Sequence, residues 1–209
     1  MHDISIPFDT GTPEWPGDTP FSCGWARQMT TGASVNVSRI VTSPHVGTHA
    51  DAPLHVRSGG AGANHLPLHP FLGPARVVDV SHLDGTITLA DLQRAGYTVE
   101  TTRLLLQTGR TVATGAFPER WPTLHADAAR TLARAGLKLL GVDCPSVDDR
   151  ESRTLAVHHA LFDGGAYVLE NLDLRGIAQG DWELLALPMA MGVVDAAPVR
   201  ALLRPVGRG

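Results

Sequence analysis

The feature that most constrains this chain is a run of eleven residues, His45 to His55, that reads HVGTHADAPLH. It holds three histidines and one aspartate, at His45, His49, Asp51 and His55. Imidazole nitrogens and carboxylate oxygens are the usual protein ligands of zinc and similar divalent ions. A solvated polar loop is the alternative, but acid and imidazole recur here at ligand spacing, which favours a metal site.

The spacing also constrains the backbone. A fully extended strand from His45 to Asp51 would span roughly 20 Å, at about 3.3 Å per residue. One ion binds its ligands at about 2 Å, so such a strand cannot bring all the candidates to it. The backbone must fold back, and Gly47 permits a sharp turn, while Pro44 and Pro53 argue against a continuous helix. We predict a strand end that runs into a tight, ligand-bearing loop.

Composition indicates a single globular domain, residues 1–209, without internal repeats. The net charge of −4 gives no support for nucleic acid or an anionic membrane as partner. The two cysteines form no CxxC pair, which disfavours a thiolate zinc site. The N-terminus lacks a signal-peptide pattern, and no apolar window of about 18 residues occurs. We therefore expect a cytoplasmic protein without a transmembrane helix.

Apolar patterns predict a series of strands and two helices. The first helix, 88–95, has Thr88 as N-cap and Gly96 as stop signal, and the second covers 124–135. A helix followed by a buried strand suggests a crossover packed on a mixed sheet, hence an α/β fold. The predicted strands are 34–42, 75–80, 103–107, 137–142, 182–187 and 199–203.

A second polar cluster lies in the C-terminal half. His158 and His159 are adjacent, and Glu170 ends an apolar run that begins at Ala166. This glutamate either ends a strand in water or turns into a site. If His158 and Glu170 converge with the histidine-rich run, the ligands are too many for one tetrahedral structural site. They suit a catalytic metal with an open position, or a pair of ions.

Such a site favours hydrolysis of an amide, ester or lactam, because a bound metal lowers the pKa of water towards about 7 and polarises the carbonyl. Asp51 could bridge two ions about 3.5–4 Å apart. His55 is placed to shuttle protons, and its alternative is a structural or outer-shell histidine. No Gly-x-Ser-x-Gly elbow occurs, so a serine-hydrolase route has no support.

At these residues the chain resembles the bacterial kynurenine formamidases (arylformamidases) of the metal-dependent cyclase-like hydrolase family. The similarity covers nearly the whole chain, and the HxGTHxDxPxH run is specific for the superfamily. The Trp-Pro-Gly-Asp element and the C-terminal half narrow it to the formamidases. The matching segments are 15–18, 43–55, 141–143 with Pro145-Ser146, His158 with Glu170, and 182–188.

The resemblance implies a site with two Zn²⁺ ions, or with Mn²⁺ or another divalent ion. It makes His55 the proton donor and acceptor, and it gives Trp15 a contact with the aromatic substrate, although the local sequence favours Trp15 as a plain hydrophobic anchor. The implied ligands are His45, His49 and Asp51 for one ion, and Asp51, His158 and Glu170 for the other.

The implied reaction is hydrolysis of N-formyl-L-kynurenine to L-kynurenine and formate, in tryptophan degradation, by metal-bound hydroxide. The implied fold is α/β, a mixed-sheet swivelling β/β/α domain, assembled as a homodimer. One alternative is a related hydrolase of a cyclic amide such as isatin, or of another acyl substrate. Another is a non-catalytic metal-binding protein.

One departure from the family pattern lies before His158. Family members commonly carry an acid two residues before this histidine, whereas Leu155-Ala156-Val157 precede it here. We expect altered support for this ligand. His159 is the neighbouring alternative, but the twelve-residue spacing to Glu170 favours His158.

Overall fold

The computed structural model describes residues 1–207, so the last two residues of the predicted domain lie outside the described residues. In this range nine strands form one mixed sheet, and four more form two small sheets. The α-helices are α1 (Leu89–Arg94), α2 (Ala126–Arg134) and α3 (Ala156–Asp163). The strands are β1 (His2–Asp3), β2 (Ser22–Arg27), β3 (Val37–Val41), β4 (His49–Asp51), β5 (Leu72–Asp79), β6 (Thr86–Ile87), β7 (Arg103–Gln107), β8 (Thr123–Leu124), β9 (Leu139–Val142), β10 (Tyr167–Glu170), β11 (Gly180–Leu185), β12 (Ala196–Pro198) and β13 (Leu202–Pro205).

The large sheet is parallel at its centre and antiparallel at both sides. Its strand order is β1-β13-β11-β5-β7-β9-β10-β4-β12, and β5, β7, β9 and β10 run parallel. Parallel strands are covered on both faces and therefore read as continuous apolar runs. On β7, Leu104 and Leu106 belong to the core that includes residues of α1, α2 and α3, while Leu105 belongs to a second core on the opposite face. The predicted mixed-sheet α/β fold is confirmed.

The sheet curls around this second core. The amide of Ile4 donates to the carbonyl of Ala201 at 2.9 Å, and the Ile4 carbonyl accepts from the amide of Asp173 at 2.8 Å. The β1 edge therefore reaches the segment that follows β10. Close packing inside the curl requires Gly141 on β9, because a Cβ there would lie 2.4 Å from Leu105 Cδ2.

Most predicted elements lie where the sequence places them. Helix 88–95 is found as α1, with Thr88 in a capping box, and strand 103–107 is β7. Helix α3 was not predicted, because its residues read as a polar cluster. The prediction of one strand over 199–203 was wrong, because β12 pairs with β4 while β13 pairs with β11, and the chain changes partners between them. In the described part of the chain, no helix combines the length and apolar character needed to span a bilayer.

Candidate active site

The histidine-rich run folds back as predicted, but two of its ligand candidates lie on a strand rather than in a loop. Gly47 has a φ of +67°, in the left-handed region that glycine adopts without strain. After this turn, His49 and Asp51 lie on β4, two residues apart and therefore on one face. The 3₁₀ helix Pro53–His55 then brings the ring of His55 to 4.4 Å from that of His45.

The second polar cluster reaches the same place by two routes. Strand β10 pairs with β4 in antiparallel register, so that Glu170 lies opposite His49. Helix α3 brings His158 Nε2 to 3.1 Å from Asp51 Oδ2, whereas His159 is only partly buried on the next helical position. The five predicted ligand residues therefore converge, and all except His45 are almost completely buried.

The ligand atoms form two groups that share Asp51. His45 Nδ1 lies 3.0 Å from His49 Nε2 and 3.2 Å from Asp51 Oδ1. The distance from His49 Nε2 to Asp51 Oδ1 is 3.3 Å. Ligands bound tetrahedrally to zinc at about 2.0–2.1 Å are about 3.3 Å from one another, so this triangle has the size of one face of such a site. In the second group, His158 Nε2 lies 3.1 Å from Asp51 Oδ2 and 3.5 Å from Glu170 Oε1. Glu170 is equally close to the first group, since its Oε2 lies 3.5 Å from His49 Nε2, and His49, Asp51 and Glu170 could together hold an ion.

Asp51 Oδ1 indicates that this cluster is built for a cation. This oxygen is buried and, among the described residues, makes no hydrogen bond of acceptable geometry, although imidazole nitrogens lie within 3.3 Å. A buried carboxylate oxygen without a partner is energetically costly. A divalent ion would be such a partner, and the nitrogen and carboxylate donors around it are of the type that zinc binds. The residues present therefore fit a metal.

The outer nitrogen of each imidazole faces a hydrogen-bond acceptor. When such an acceptor takes the N–H of the outer nitrogen, the inner lone pair is left for a metal, which is the usual arrangement of metal-binding histidines. Neither carboxylate among these acceptors, Asp148 or Asp195, is predicted from the sequence. The pairs are His49 Nδ1 with Gly47 O at 2.9 Å, His158 Nδ1 with Asp148 Oδ2 at 2.7 Å, and His45 Nε2 with Asp195 Oδ2 at 3.0 Å.

Asp148 supports His158, although this chain lacks the acid that family members commonly carry two residues before this histidine. Its carboxylate accepts from the backbone amides of Val157 and His158, both at 3.0 Å, and from His158 Nδ1. The N-cap residue of α3 is Leu155, with a φ of +44° and no side-chain cap. Asp148 therefore caps the helix from another segment and orients the histidine that the helix carries.

The histidines and carboxylates of the cluster shift one another's pKa. Burial lowers the pKa of His45 and of His49, but the neighbouring carboxylates outweigh burial and raise these values to about 10 and about 9. Burial raises the pKa of Asp51, yet the hydrogen bond with His158 and the charge of the neighbouring His49 hold it well below its usual range. The carboxylates therefore favour positive charge at this cluster.

An apolar cavity of about 290 Å³ opens onto the cluster, near the lower end of the usual range for small-molecule sites, about 300–1,000 Å³. Trp15 lines it, and edge-to-face contacts with Phe117 at 5.5 Å and Trp121 at 5.9 Å hold the Trp15 ring. This tryptophan is thus both packed as an anchor and available to a ligand. The lining residues are Pro13, Trp15, Asp18, His45, His49, His55, Phe117, Pro145, Ser146, Leu155, Glu170 and Asn171.

His55 lies on the cavity wall beside the cluster. Its Nδ1 is 3.4 Å from Asp195 Oδ2, and its ring centroid is 5.7 Å from that of His158. Ligand atoms of His45, Asp51 and His55 also lie within 4.8 Å of one another. This geometry is compatible with proton transfer and with metal binding by His55.

Fold and site together define a hydrolase of the cyclase-like class. The chain belongs to the Cyclase family, described as "Putative cyclase", whose model matches residues 2–149. It is 44% identical to the kynurenine formamidase of Bacillus cereus over 208 residues, which cover 98% of this chain and 97% of that protein. It is 41% identical to that of Bacillus anthracis over 204 residues, with the same coverage. The predicted family and the prediction of a hydrolase are confirmed, and the non-catalytic alternative is set aside.

Solved structures share the fold. A "Potential Metal-Dependent Hydrolase With Cyclase Activity" superposes with a TM-score of 0.82 at 29% identity, covering 97% of this chain and 96% of that one. Isatin hydrolase A from Labrenzia aggregata, bound to benzyl benzoate, gives a TM-score of 0.79 at 21% identity, with coverage of 97% and 92%. At that identity the second likeness shows the fold alone.

Proposed function

We propose that the chain is a metal-dependent arylformamidase that hydrolyses N-formyl-L-kynurenine to L-kynurenine and formate, a step of tryptophan degradation. The observation that carries this proposal is the cavity, because it joins an aromatic wall around Trp15 to the histidine and carboxylate cluster. An aryl formamide needs both, an apolar slot for its ring and catalytic groups at the formyl carbon. The similarity to kynurenine formamidases supports this substrate.

The proposed metal ligands are the five residues whose ligand atoms converge in the candidate active site. Asp51 would serve both ions, since its Oδ1 faces His49 and its Oδ2 faces His158. When bound, zinc or another divalent ion supplies Lewis acidity that polarises the formyl carbonyl and lowers the pKa of water. We assign His45, His49 and Asp51 to one ion, and Asp51, His158 and Glu170 to the second.

His55 is the proposed proton carrier. Its ring is part of the cavity lining and is only partly exposed, so it can meet both the attacking water and the leaving nitrogen. It takes a proton from water as the oxygen attacks the formyl carbon, and it returns the proton to the aryl nitrogen as the C–N bond breaks. The products are an aromatic amine and formate. Trp15 holds the ring, while Pro145 and Leu155 exclude bulk water from the slot.

The central experiment measures kcat/KM for formylkynurenine before metal removal, after dialysis against a chelator, and after zinc or manganese is restored. Activity should disappear with the metal and return with it, and elemental analysis should find two ions per chain. Turnover that survives complete metal removal would refute the proposal. One ion per active chain would reduce it to a mononuclear site.

Isatin serves as the comparison substrate, because opening its ring also cleaves an aryl amide but leaves the acyl group attached to the amine's ring. The proposal expects kcat/KM to be higher for formylkynurenine. A strong preference for isatin would assign the same site to the cyclic-amide alternative.

We also propose a homodimer. The hairpin of β2 and β3 is a separate two-stranded sheet that exposes Trp25, Ile40 and Val41 by 59%, 55% and 49%. An isolated two-stranded hairpin is marginally stable in water, and the register places Trp25 and Ile40 on one face of it and Val41 on the other. Trp25 and Ile40 together form an exposed apolar pair of the kind that marks an interaction surface. Light scattering should give twice the chain mass for the wild type and a lower mass for Trp25→Ser combined with Ile40→Ser. A monomeric wild type would refute the proposal.

A further inference from the structure

Asp195 lies immediately before β12, where the backbone is tied to the strand that carries two of the proposed ligands. Its carbonyl accepts from the amide of Ala52 at 2.9 Å, and the next residue, Ala196, pairs with Asp51 across the β12–β4 ladder. Position 195 is therefore fixed relative to Asp51 by backbone hydrogen bonds, although 144 positions separate the two in sequence.

The side chain of Asp195 joins two histidines through one oxygen. Oδ2 lies 3.0 Å from His45 Nε2 and 3.4 Å from His55 Nδ1. The centroids of the two rings are 4.4 Å apart and the ring planes are inclined by 46°. Each ring has one nitrogen near the same carboxylate oxygen. The second distance is at the long end of the hydrogen-bond range, and hydrogen bonds in catalytic sites are often long until substrate binds.

A neutral imidazole carries its proton on one nitrogen, and the hydrogen bond at that nitrogen decides which one. An acceptor at Nδ1 of His55 therefore keeps the proton on Nδ1 and leaves Nε2 as the base. We propose that Asp195 is a positioning residue, which holds His55 as the Nδ1–H tautomer with Nε2 available to the cavity. This inference rests on the proposed function, because it assigns an orientation to the histidine that moves the proton.

Asp195 also contacts His45, so a variant could act through the metal instead of through His55. Two substitutions separate the effects. Asp195→Ala removes the acceptor, while Asp195→Asn can keep an acceptor oxygen in its place. Asp181→Ala is the matched control, because Asp181 is an exposed carboxylate on β11 that pairs only with Arg76 among the described residues.

The first measurement is independent of turnover. Long-range ¹H–¹⁵N spectra of the metal-loaded, substrate-free protein report the tautomer of His55. We expect one Nδ1–H tautomer in the wild type, in Asp195→Asn and in the control, and a tautomer mixture in Asp195→Ala. An unchanged His55 spectrum in Asp195→Ala, or equal loss in the Asn and Ala variants, would overturn the inference.

The second measurement is a double-mutant cycle on kcat, with metal content checked in each variant. Asp195→Ala should bind zinc more weakly, because His45 loses its acceptor. With every variant saturated with zinc, Asp195→Ala should still lower kcat roughly 10–100-fold with little change in KM, and should have almost no further effect in a His55→Ala background. Additive losses in the double variant at full zinc occupancy would show that Asp195 acts through His45 and would overturn the inference. If the wild type fails to hydrolyse formylkynurenine, the proposed function fails, while the spectra still decide the role of Asp195.

Discussion

The substitution Asp148→Ala tests whether one buried carboxylate both caps α3 and orients His158. The change removes the acceptor of two backbone amides and of His158 Nδ1. Loss of a helix N-cap costs about 0.5–2 kcal/mol, and a buried donor left without a partner costs about 1–3 kcal/mol. The free energy of unfolding should therefore fall by about 1.5–5 kcal/mol, and metal affinity should fall roughly 10–100-fold because a supporting partner of a proposed metal ligand is lost.

The assay separates these two effects. Urea unfolding with a chelator present measures the stability of the metal-free protein, and competition with a chromophoric chelator measures zinc affinity. The control is Asp149→Ala, because Asp149 is exposed and its carboxylate accepts only from the amide of Glu151 among the described residues; its unfolding free energy should stay within about 0.5 kcal/mol of wild type. The double role of Asp148 is refuted if Asp148→Ala lowers the free energy of unfolding by less than about 1 kcal/mol and binds zinc as tightly as wild type.

Three further substitutions test the site and the core. His55→Ala should keep its metal but lower kcat roughly 10²–10⁴-fold, the usual contribution of a general acid or base; loss of metal in this variant would make His55 a ligand. Asp51→Ala should lose one or both ions, as measured by elemental analysis, and full retention would contradict its role as bridge. Gly141→Ala should lower the free energy of unfolding by about 1–3 kcal/mol in urea, because the added Cβ overlaps Leu105; wild-type stability would show that the core yields at no cost.

The histidine-rich run could be interpreted from sequence because its information is local. Its residue types name the chemistry, and Gly47 provides the turn. Residues at positions i and i+2 share one face of a strand, so once β4 forms, His49 and Asp51 point the same way. His158 and Glu170 are different, because α3 and β10 bring them from more than 100 positions away. Spacing within the chain could not show that His158 and Glu170 meet the histidine-rich run. The family resemblance predicted that they do.

Asp148 and Asp195 could not be located by sequence reasoning, because among 21 acidic residues nothing local distinguishes them. Asp195 reaches His45 only because β12 pairs with β4, and Asp148 reaches His158 only because its segment lies against the start of α3. Their existence, however, follows from elementary chemistry. A histidine that offers one nitrogen to a metal must place its other N–H on an acceptor. Each predicted ligand histidine therefore implies an outer acceptor, although its position in the sequence is not known in advance. In the structure these acceptors include Asp148, which supports His158, and Asp195, from which the orientation of His55 is inferred.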